Sequence, residues 1–489
     1  MLVALACDPP ARIYHLQTAS LEGSNTMAPE LSELAKTDID AVLHPYTNLA
    51  KHSEIGPLVI THGKGIYVYD ERGKEYIEGL AGLWCTSLGF GEEELVEAAA
   101  RQMRELPYYH NFNHKAAKPV IELADKLKKL APVPMSKVFF ANSGSEANDT
   151  AIKMIWYYNN ARGRPNKKKI ISRQRAYHGV TIATASLTGL PNNHRDFDLP
   201  IDRILHTDSP HYYREAHQGE TEEEFADRLV ASLQALIAQE GADTIAAFIA
   251  EPLMGAGGVV PPPKSYFEKI QPVLAQHDIL FLDDEVICGF GRTGNMFGAE
   301  TYDLKPDAIS MAKALSSAYL PISAVMISED IFQAAVEESV KIGTFGHGFT
   351  YSGHPVPAAV AIRTLELYEE RDIIGHVQKV APHFQARLRS FSEHPLVGDA
   401  RGVGLIGALE LVADKSTKRA FSPTQGVGPH TAAGCEQEGL IVRALVDAIG
   451  FCPPLIITEA EIDEMFDRFG RALDATEQWV AKGGLREAA

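Results

Sequence analysis

The chain has 489 residues and a net charge of −18, from 46 basic and 64 acidic side chains. This acidic balance, without any run of basic residues, excludes a nucleic-acid-binding surface as the main function, and no apolar run approaches the ~18–20 residues of a membrane helix. At this length two or three structural units are expected. The five cysteines are scattered without metal-ligand spacing, so we predict no metal site, a reducing compartment and a cytoplasmic location.

The amino-terminal stretch does not resemble a leader segment. Residues 1–26 lack the basic region of a signal peptide, and we interpret them as a disordered extension or the product of a misplaced start codon. Residues 27–55 predict a helix followed by a loop. Residues 60–77 predict a hairpin, because the glycine-containing turn cluster at 70–74 lies between aromatic strand residues. Amphipathic helices are predicted over 93–106 and 116–130.

A strand, a tight glycine turn and a helix are predicted over residues 138–149. The first turn of that helix would offer free N–H groups and the positive end of the helix dipole to an anion. A Ser-Gly-Ser sequence alone is usually only a turn. Its position here, between a buried strand and a helix, favours a phosphate-binding role for Gly144 and Ser145.

Several further apolar segments have the length of strands buried on both faces, and helical patterns lie between them. Polar residues follow most of these strands. This alternation is typical of a mainly parallel sheet wrapped by helices, with ligands bound at the carboxyl ends of the strands. The predicted strands cover 168–172, 244–250, 279–282, 308–312 and 321–328, and long helices are predicted over 222–240 and 355–371.

Two of these strands end in groups that are costly to bury. Asp283, Asp284 and Glu285 follow one strand, and an acidic strand end by itself often marks a metal site or a helix cap. Lys313 follows another strand. A lone lysine there usually extends its amine into solvent, but a desolvated amine is also a nucleophile toward carbonyl groups. Pyridoxal 5'-phosphate (PLP) requires both groups: an amine for its aldehyde and a carboxylate for its pyridine nitrogen.

These linked motifs resemble those of the class III aminotransferases, which are fold-type I PLP enzymes. The resemblance extends from about residue 44 to about residue 467, and within the class it is strongest to the amine–pyruvate (ω-) transaminases. The motifs that carry it are, in chain order, Ser143-Gly144-Ser145-Glu146-Ala147-Asn148-Asp149, Tyr177-His178-Gly179, Glu251-Pro252, Asp284-Glu285-Val286, Gly289-Phe290-Gly291-Arg292-Thr293-Gly294, Lys313 and Gly348-Phe349-Thr350-Tyr351-Ser352-Gly353-His354-Pro355.

The resemblance implies an α/β fold of fold-type I with two domains. The large domain would contain a mainly parallel seven-stranded sheet wrapped by helices. The smaller α+β domain would be built from both chain ends. The expected divisions are a disordered extension at 1–26, the amino-terminal part of the small domain at 27–85, the large PLP-binding domain at 86–345 and the carboxyl-terminal part of the small domain at 346–489.

The resemblance also implies the cofactor contacts. Lys313 would bind the cofactor aldehyde and act as the proton-transferring base, while Asp284 would keep the pyridine nitrogen protonated. Tyr177 would stack on one face of the ring and Val286 on the other. The remaining expected contacts are Gly144, Ser145, His178, Glu251 and Thr350, of which Thr350 would reach the phosphate of the neighbouring subunit.

Three residues are candidates for substrate contact. Tyr46 and Trp84 would line the pocket, although each is also compatible with ordinary core packing. Arg443 would bind a carboxylate through its bidentate fork, although an ion pair with Asp447 or Glu438 is an equal alternative.

The expected function is therefore a PLP-dependent transaminase with a ping-pong mechanism. It would take an amino group from a primary amine or ω-amino acid and pass it to a keto acid, with pyruvate as the expected acceptor. The expected partners are these small molecules and a second copy of the chain, in a homodimer with shared active sites or a dimer of dimers. The same fold also serves class III mutases and decarboxylases, and a non-catalytic PLP-fold protein is a further alternative.

Overall fold

The computed structural model describes residues 31–446 and 448–487. The chain forms two compact units that are divided between Ile60 and Thr61. The extension predicted at 1–26 lies outside the described residues. Among the helices that are described, none is long and apolar enough to span a membrane.

The first unit contains two short helices, α1 (Glu33–Ala41) and α2 (Leu49–Ile55). Each begins at a polar cap. The side chain of Ser32 accepts a hydrogen bond from the N–H of Ala35, and that of Asn48 accepts one from Lys51. Such caps satisfy N–H groups that have no partner within the helix. The loop between the helices carries Tyr46.

The second unit begins at Thr61, in the first strand of a three-stranded meander, and three helical segments follow. Asp70 sets the turn after the second strand, because its Oδ1 accepts the N–H groups of Arg72 and Lys74, each at 2.9 Å. The predicted hairpin therefore exists with one additional strand. The segments are β1 (Ile60–Lys64), β2 (Tyr67–Asp70), β3 (Glu75–Glu78), the single turn α3 (Ala81–Trp84), α4 (Glu93–Glu105) and α5 (Lys118–Leu130).

A seven-stranded sheet forms the centre of the second unit, as predicted. Its strand order is β4-β10-β9-β8-β7-β5-β6, and only β10 runs antiparallel to its neighbours. Every residue of β7 is buried, as its continuous apolar sequence predicts. The strands are β4 (Lys137–Ala141), β5 (Lys169–Arg173), β6 (Ile204–Thr207), β7 (Ile245–Ala250), β8 (Leu280–Asp284), β9 (Ala308–Met311) and β10 (Ser323–Ile327).

Helices follow most strands of this sheet and pack against it and one another. The predicted helix at 222–240 has the predicted bounds, since a capping box of Thr221 and Glu224 fixes its start and Gly241 ends it. The helices are α6 (Gly144–Ala161), α7 (Ile182–Leu187), α8 (Tyr212–Glu215), α9 (Glu222–Glu240), α10 (Tyr266–Gln276), α11 (Gly298–Tyr302) and α12 (Glu329–Ile342).

The carboxyl-terminal third forms a four-stranded antiparallel sheet and adds a fourth strand to the sheet of β1, β2 and β3. The antiparallel order is β11-β12-β15-β14, and β13 pairs in parallel with β3, so that Leu440 lies opposite Ile77. Both chain ends thus contribute to one sheet, while the predicted domain limits at 85 and 345 stay a prediction. The elements are α13 (Pro355–Glu370), α14 (Ile373–Ser390), β11 (Val397–Val403), β12 (Ile406–Leu411), α15 (Val427–Gln437), β13 (Leu440–Ile441), β14 (Arg443–Leu445), β15 (Ala448–Phe451) and α16 (Glu459–Lys482).

Arg292 joins the glycine-rich loop after β8 to this carboxyl-terminal third. Its side chain is buried, and Nη1 donates to the backbone carbonyls of Leu405 at 2.8 Å and Pro453 at 2.7 Å. A buried carbonyl without a donor is costly, so one guanidinium satisfies two distant segments.

Replacement of Arg292 by methionine should lower the free energy of unfolding by about 2–5 kcal/mol, because two buried carbonyls lose their donor. Urea denaturation followed by circular dichroism would measure the change. Arg389→Met, at an exposed position on α14, is the matched control and should change stability by less than about 0.5 kcal/mol. Equal midpoints for the two variants would contradict this role of Arg292.

Candidate active site

Asp284 is the last residue of β8, and its buried carboxylate receives three hydrogen bonds. Oδ2 accepts from Asn148 Nδ2 at 2.8 Å and lies 2.7 Å from His178 Nδ1, while Oδ1 accepts the N–H of Val286 at 3.1 Å. A carboxylate only accepts, so His178 must carry its hydrogen on Nδ1. The donors come from α6, from the loop after β5 and from the chain just after β8, and they hold the carboxylate in a fixed orientation.

The acids on either side of Asp284 are also buried, and burial disfavours their charged forms. Burial and the adjacent Glu285 raise the pKa of Asp283 well above its usual range. Burial also raises the pKa of Glu285 to about 7. The hydrogen bonds that its oxygens accept from the N–H groups of Gly298 and Ala299 act in the opposite direction. Through these two N–H groups, Glu285 supports the start of α11.

Glu251, at the end of the neighbouring strand β7, connects two loops of the site. Its Oε1 accepts the N–H of Tyr177 at 3.1 Å and Oε2 accepts that of Gly255 at 3.0 Å. The fully buried Arg173 donates to its backbone carbonyl at 2.8 Å. Burial raises the pKa of Glu251. Its contacts make it a residue that positions Tyr177.

The glycine turn after β4 has the structure expected of an anion cradle. Helix α6 begins at Gly144, with Ser143 as the cap and free N–H groups in its first turn. A Cβ at Gly144 would lie 3.1 Å from both γ-carbons of Val286. The turn therefore lies directly beside the residue that follows Asp284 and Glu285.

A second glycine brings the Tyr177 loop against the same turn. Gly179 has φ +137°, and a Cβ there would lie 2.5 Å from Ser145 Oγ. Only glycine fits this approach. Ser145 Oγ in turn accepts the N–H of Val180 at 3.1 Å, which fixes the distance between the turn and Tyr177, a half-buried side chain.

Lys313 begins a 3₁₀ turn just after β9, with φ +49°. Because β9 pairs with β8, the lysine lies beside the end of the strand that carries Asp284. Desolvation lowers the pKa of its ammonium, and the nearby Cys85, Asp284 and Glu251 act in the opposite direction. A lysine with a lowered pKa supplies more neutral amine, which is the form that attacks a carbonyl or takes a proton.

Two of the three substrate candidates lie close together. Trp84 is buried, and its indole Nε1 has no hydrogen-bond partner among the described residues. Arg443 is on β14, opposite Gly450 of β15, and a Cβ at Gly450 would lie 3.2 Å from Trp84 Cη2. The buried Cys452 follows on the same strand segment and interacts electrostatically with Lys313.

The sequence offered Glu438 and Asp447 as alternative ion-pair partners for Arg443, and Glu438 is already paired with another residue. The carboxylate of Glu438 binds Arg471 at 2.6 Å. Asp447 lies outside the described residues. Within 31–446 and 448–487, the guanidinium of Arg443 makes no hydrogen bond or ion pair that the structure describes.

Two further predicted site residues are exposed within their own units. Thr350 is exposed on the loop before α13, and its carbonyl accepts the Tyr108 hydroxyl at 2.6 Å. Tyr46 belongs to the first unit, where its side chain is exposed. The roles of both residues stay predictions.

Comparison with known proteins decides the family. The profile described as Aminotransferase class-III matches residues 49–473. The chain belongs to the class-III aminotransferases. It is 51% identical over 463 residues to gamma aminobutyrate transaminase 3, chloroplastic, of Solanum lycopersicum, covering 94% of this chain and 89% of that protein.

Two further similarities agree with this class-III assignment. The chain is 53% identical over 442 residues to probable gamma-aminobutyrate transaminase 3, mitochondrial, of Oryza sativa subsp. indica, with 90% and 87% of the two chains covered. The crystal structure of the omega transaminase from Pseudomonas jessenii in complex with PMP superposes with a TM-score of 0.91 at 54% identity, covering 92% of this chain and 100% of that one. The fold is thus that of a fold-type I PLP enzyme, as expected.

The expected cytoplasmic location is wrong by this comparison, because the relatives are named as chloroplastic and mitochondrial proteins. Net charge and cysteine spacing are properties of the folded enzyme. They contain no information about the compartment in which the enzyme is located.

The class-III aminotransferases use PLP, and the residues of this chain fit it. The open first turn of α6 suits a phosphate, and the carboxylate of Asp284 suits a protonated pyridine nitrogen. The amine of Lys313 suits the aldehyde, with Tyr177 and Val286 available to the ring faces.

Sequence reasoning missed two residues that support this arrangement. Asn148 donates to Asp284 and also to the backbone carbonyl of His178 at 2.9 Å. Its position one helical turn after Gly144 was the available signal, because that spacing keeps it on the face that carries the cradle. Arg173, at the end of β5, gave no such signal, since its contact with Glu251 spans two strands.

Replacement of Lys313 by alanine should abolish turnover while retaining much of the PLP affinity, because other residues hold the phosphate and the pyridine nitrogen. Borohydride reduction of the wild-type holoenzyme, followed by peptide mapping, should place the cofactor on the peptide that contains Lys313. A label on any other lysine would refute the assignment.

Replacement of Asp284 by asparagine should lower kcat by on the order of 10²–10⁴ while PLP occupancy falls much less, because an amide cannot stabilise the protonated pyridine nitrogen. Stopped-flow kinetics and cofactor absorbance would measure the two effects separately. Near-normal turnover in this variant would exclude the role.

Proposed function

We propose that this class-III aminotransferase takes an amino group from a primary amine or an ω-amino acid and passes it to pyruvate. The observation that carries the proposal is the position of Arg443, a cation on β14 beside Gly450 and Trp84. A substrate pocket with an aromatic wall suits an apolar amine, and a nearby guanidinium suits a carboxylate. The names of the relatives, gamma-aminobutyrate transaminases and an omega transaminase, support amines whose nitrogen is distant from a carboxylate.

Within this proposal the chain's own residues divide the work of each half-reaction. PLP, when bound, supplies an electron sink for the carbon that bears the substrate nitrogen. Lys313 would take the proton from that carbon, and the resulting ammonium would give it to the former aldehyde carbon of the cofactor. Asp284 holds a proton on the pyridine nitrogen, and Asn148 and His178 keep its carboxylate oriented. Burial around Trp84 excludes water from the reacting carbon.

The two substrates place opposite demands on Arg443. An apolar amine offers no partner for a guanidinium, and burying an unpaired charge is costly. Pyruvate offers a carboxylate that fits the guanidinium fork. We therefore expect Arg443 to turn toward the keto acid and to turn away to solvent for the amine. Its short hairpin, β14–β15, includes Gly450, whose lack of a side chain lets Trp84 pack directly against the backbone of the hairpin.

The proposal includes a homodimer with shared active sites. Thr350 is exposed on its own chain, next to the exposed ring of Tyr351, which lies edge-on to Tyr108 with ring centroids 5.8 Å apart. A second copy that covers this face would bury these rings and bring Thr350 to the phosphate cradle of its partner. A pair of such dimers is compatible with the same contact.

A substrate panel would test the reaction. The enzyme, PLP and pyruvate should form alanine with an arylalkyl amine and with 4-aminobutyrate. Chromatographic detection of alanine separates a transaminase from a decarboxylase or mutase on the same fold, since neither of those needs the keto acid. No alanine from any donor of either class would refute pyruvate as the acceptor.

Replacement of Arg443 by alanine should raise KM for pyruvate by about 10²-fold, the loss expected for a charge-assisted bidentate contact of about 3 kcal/mol. The first half-reaction with an arylalkyl amine should change less than about threefold, because that substrate has no carboxylate. Stopped-flow measurement of each half-reaction gives both values.

The matched control is Arg101→Ala, which removes an exposed arginine from α4. It should leave both half-reactions unchanged. Equal damage to both halves in Arg443→Ala would show that Arg443 supports the structure and does not bind the carboxylate.

A further inference from the structure

We propose that Asp38, His44 and His52 of the first unit form a binding site for a divalent transition-metal ion of the zinc class. The three residues come from the end of α1, the following loop and α2. These residues are not among the candidate active-site residues, and the proposal does not depend on the substrate of the enzyme.

The ligand atoms converge on one point. His44 Nε2 lies 2.8 Å from Asp38 Oδ2, and His52 Nε2 lies 3.0 Å from the same oxygen. The rings of the two histidines are 4.1 Å apart between centroids. One ligand atom from each of the three residues lies within 4.8 Å of the others. Ligands of a tetrahedral zinc ion lie about 3.4 Å apart, so each histidine nitrogen needs to move away from Asp38 Oδ2 by about 0.5 Å.

The donor set selects the class of metal. Two imidazole nitrogens and one carboxylate oxygen are ligands that Zn²⁺, Co²⁺ and Ni²⁺ prefer, whereas Mg²⁺ and Ca²⁺ prefer oxygen ligands throughout. With neutral imidazoles, the only formal charge of the set is that of Asp38. The hydrogens that the Nε2 atoms now direct at Asp38 would move to Nδ1, since a metal-bound nitrogen carries no hydrogen.

The local electrostatics favour a cation. Asp38 is in the last turn of α1, where the helix dipole is negative. That turn contains no basic residue. His52 is in the last turn of α2, where the helix dipole is also negative. A carboxylate at a helix carboxyl end is normally unfavourable, and a bound divalent ion would compensate it.

The three side chains are partly enclosed, which limits competition from water without closing the site. The side chains of His44, Asp38 and His52 are 28%, 21% and 11% exposed. The ligands lie close in sequence, and the ion would connect His44 and His52, which lie on either side of Tyr46 in the chain. Metal binding would therefore fix the conformation of residues 44–52.

Titration of the holoenzyme with zinc chloride, after treatment with EDTA and dialysis, tests the proposal. Calorimetry should give one zinc ion per chain with Kd below roughly 10 µM. Asp38→Asn, His44→Gln and His52→Gln should each weaken binding by more than about 10-fold. His217→Gln, at an exposed histidine outside the cluster, is the control and should bind as the wild type does.

The glutamine variants separate a metal site from a hydrogen-bonded clasp, because the glutamine amide can still donate to Asp38. Zinc should raise the melting temperature of the wild-type chain and not that of these variants. As a test without any variant, zinc should protect His44 and His52, but not His217, from diethyl pyrocarbonate. No binding to the wild type, equal affinity in the variants or equal modification of the three histidines would each overturn the proposal.

Discussion

The carboxylate of Asp284 is the group on which the arrangement of this enzyme depends. It is buried, so its stability rests on the hydrogen bonds from Asn148, His178 and the Val286 N–H. Each donor comes from a different part of the chain. Helix α6, the loop after β5 and the turn after β8 are therefore held in one geometry by the need to satisfy a single anion.

The surrounding acids reduce the cost of this arrangement. Burial raises the pKa values of Asp283, Glu285 and Glu251, so these groups hold protons more readily than exposed acids do. Less negative charge is then packed around Asp284 than the sequence suggests. The parallel register of β7, β8 and β9 brings their polar ends to one edge, where Lys313 also lies.

The sequence predicted six of the seven strands of the central sheet, because a strand buried on both faces leaves a continuous apolar run. It did not predict the edge strand β6, whose short sequence Ile-Leu-His-Thr lacks such a run. It also predicted α9, whose capping box and terminal glycine are local signals. Lys313 and Asp284 were recognisable because each is an unusual residue to bury. Asn148 was missed although its spacing from Gly144 was a signal, and Arg173 was not recognisable, since its role arises from contacts between distant segments. The cluster of Asp38, His44 and His52 escaped notice because its spacing, six and eight residues apart, matches no familiar ligand motif.

The parallel pairing of β3 with β13 has a consequence for the synthesis of the chain. Ile77 emerges from the ribosome early, but its partner Leu440 is among the last residues to appear. At about 5–20 residues per second, one edge of β3 stays without its partner strand for on the order of tens of seconds. An open strand edge is prone to pair with other chains. The nascent protein thus depends on chaperones, or on the short and partly charged sequence of β3 itself, to avoid aggregation before translation ends.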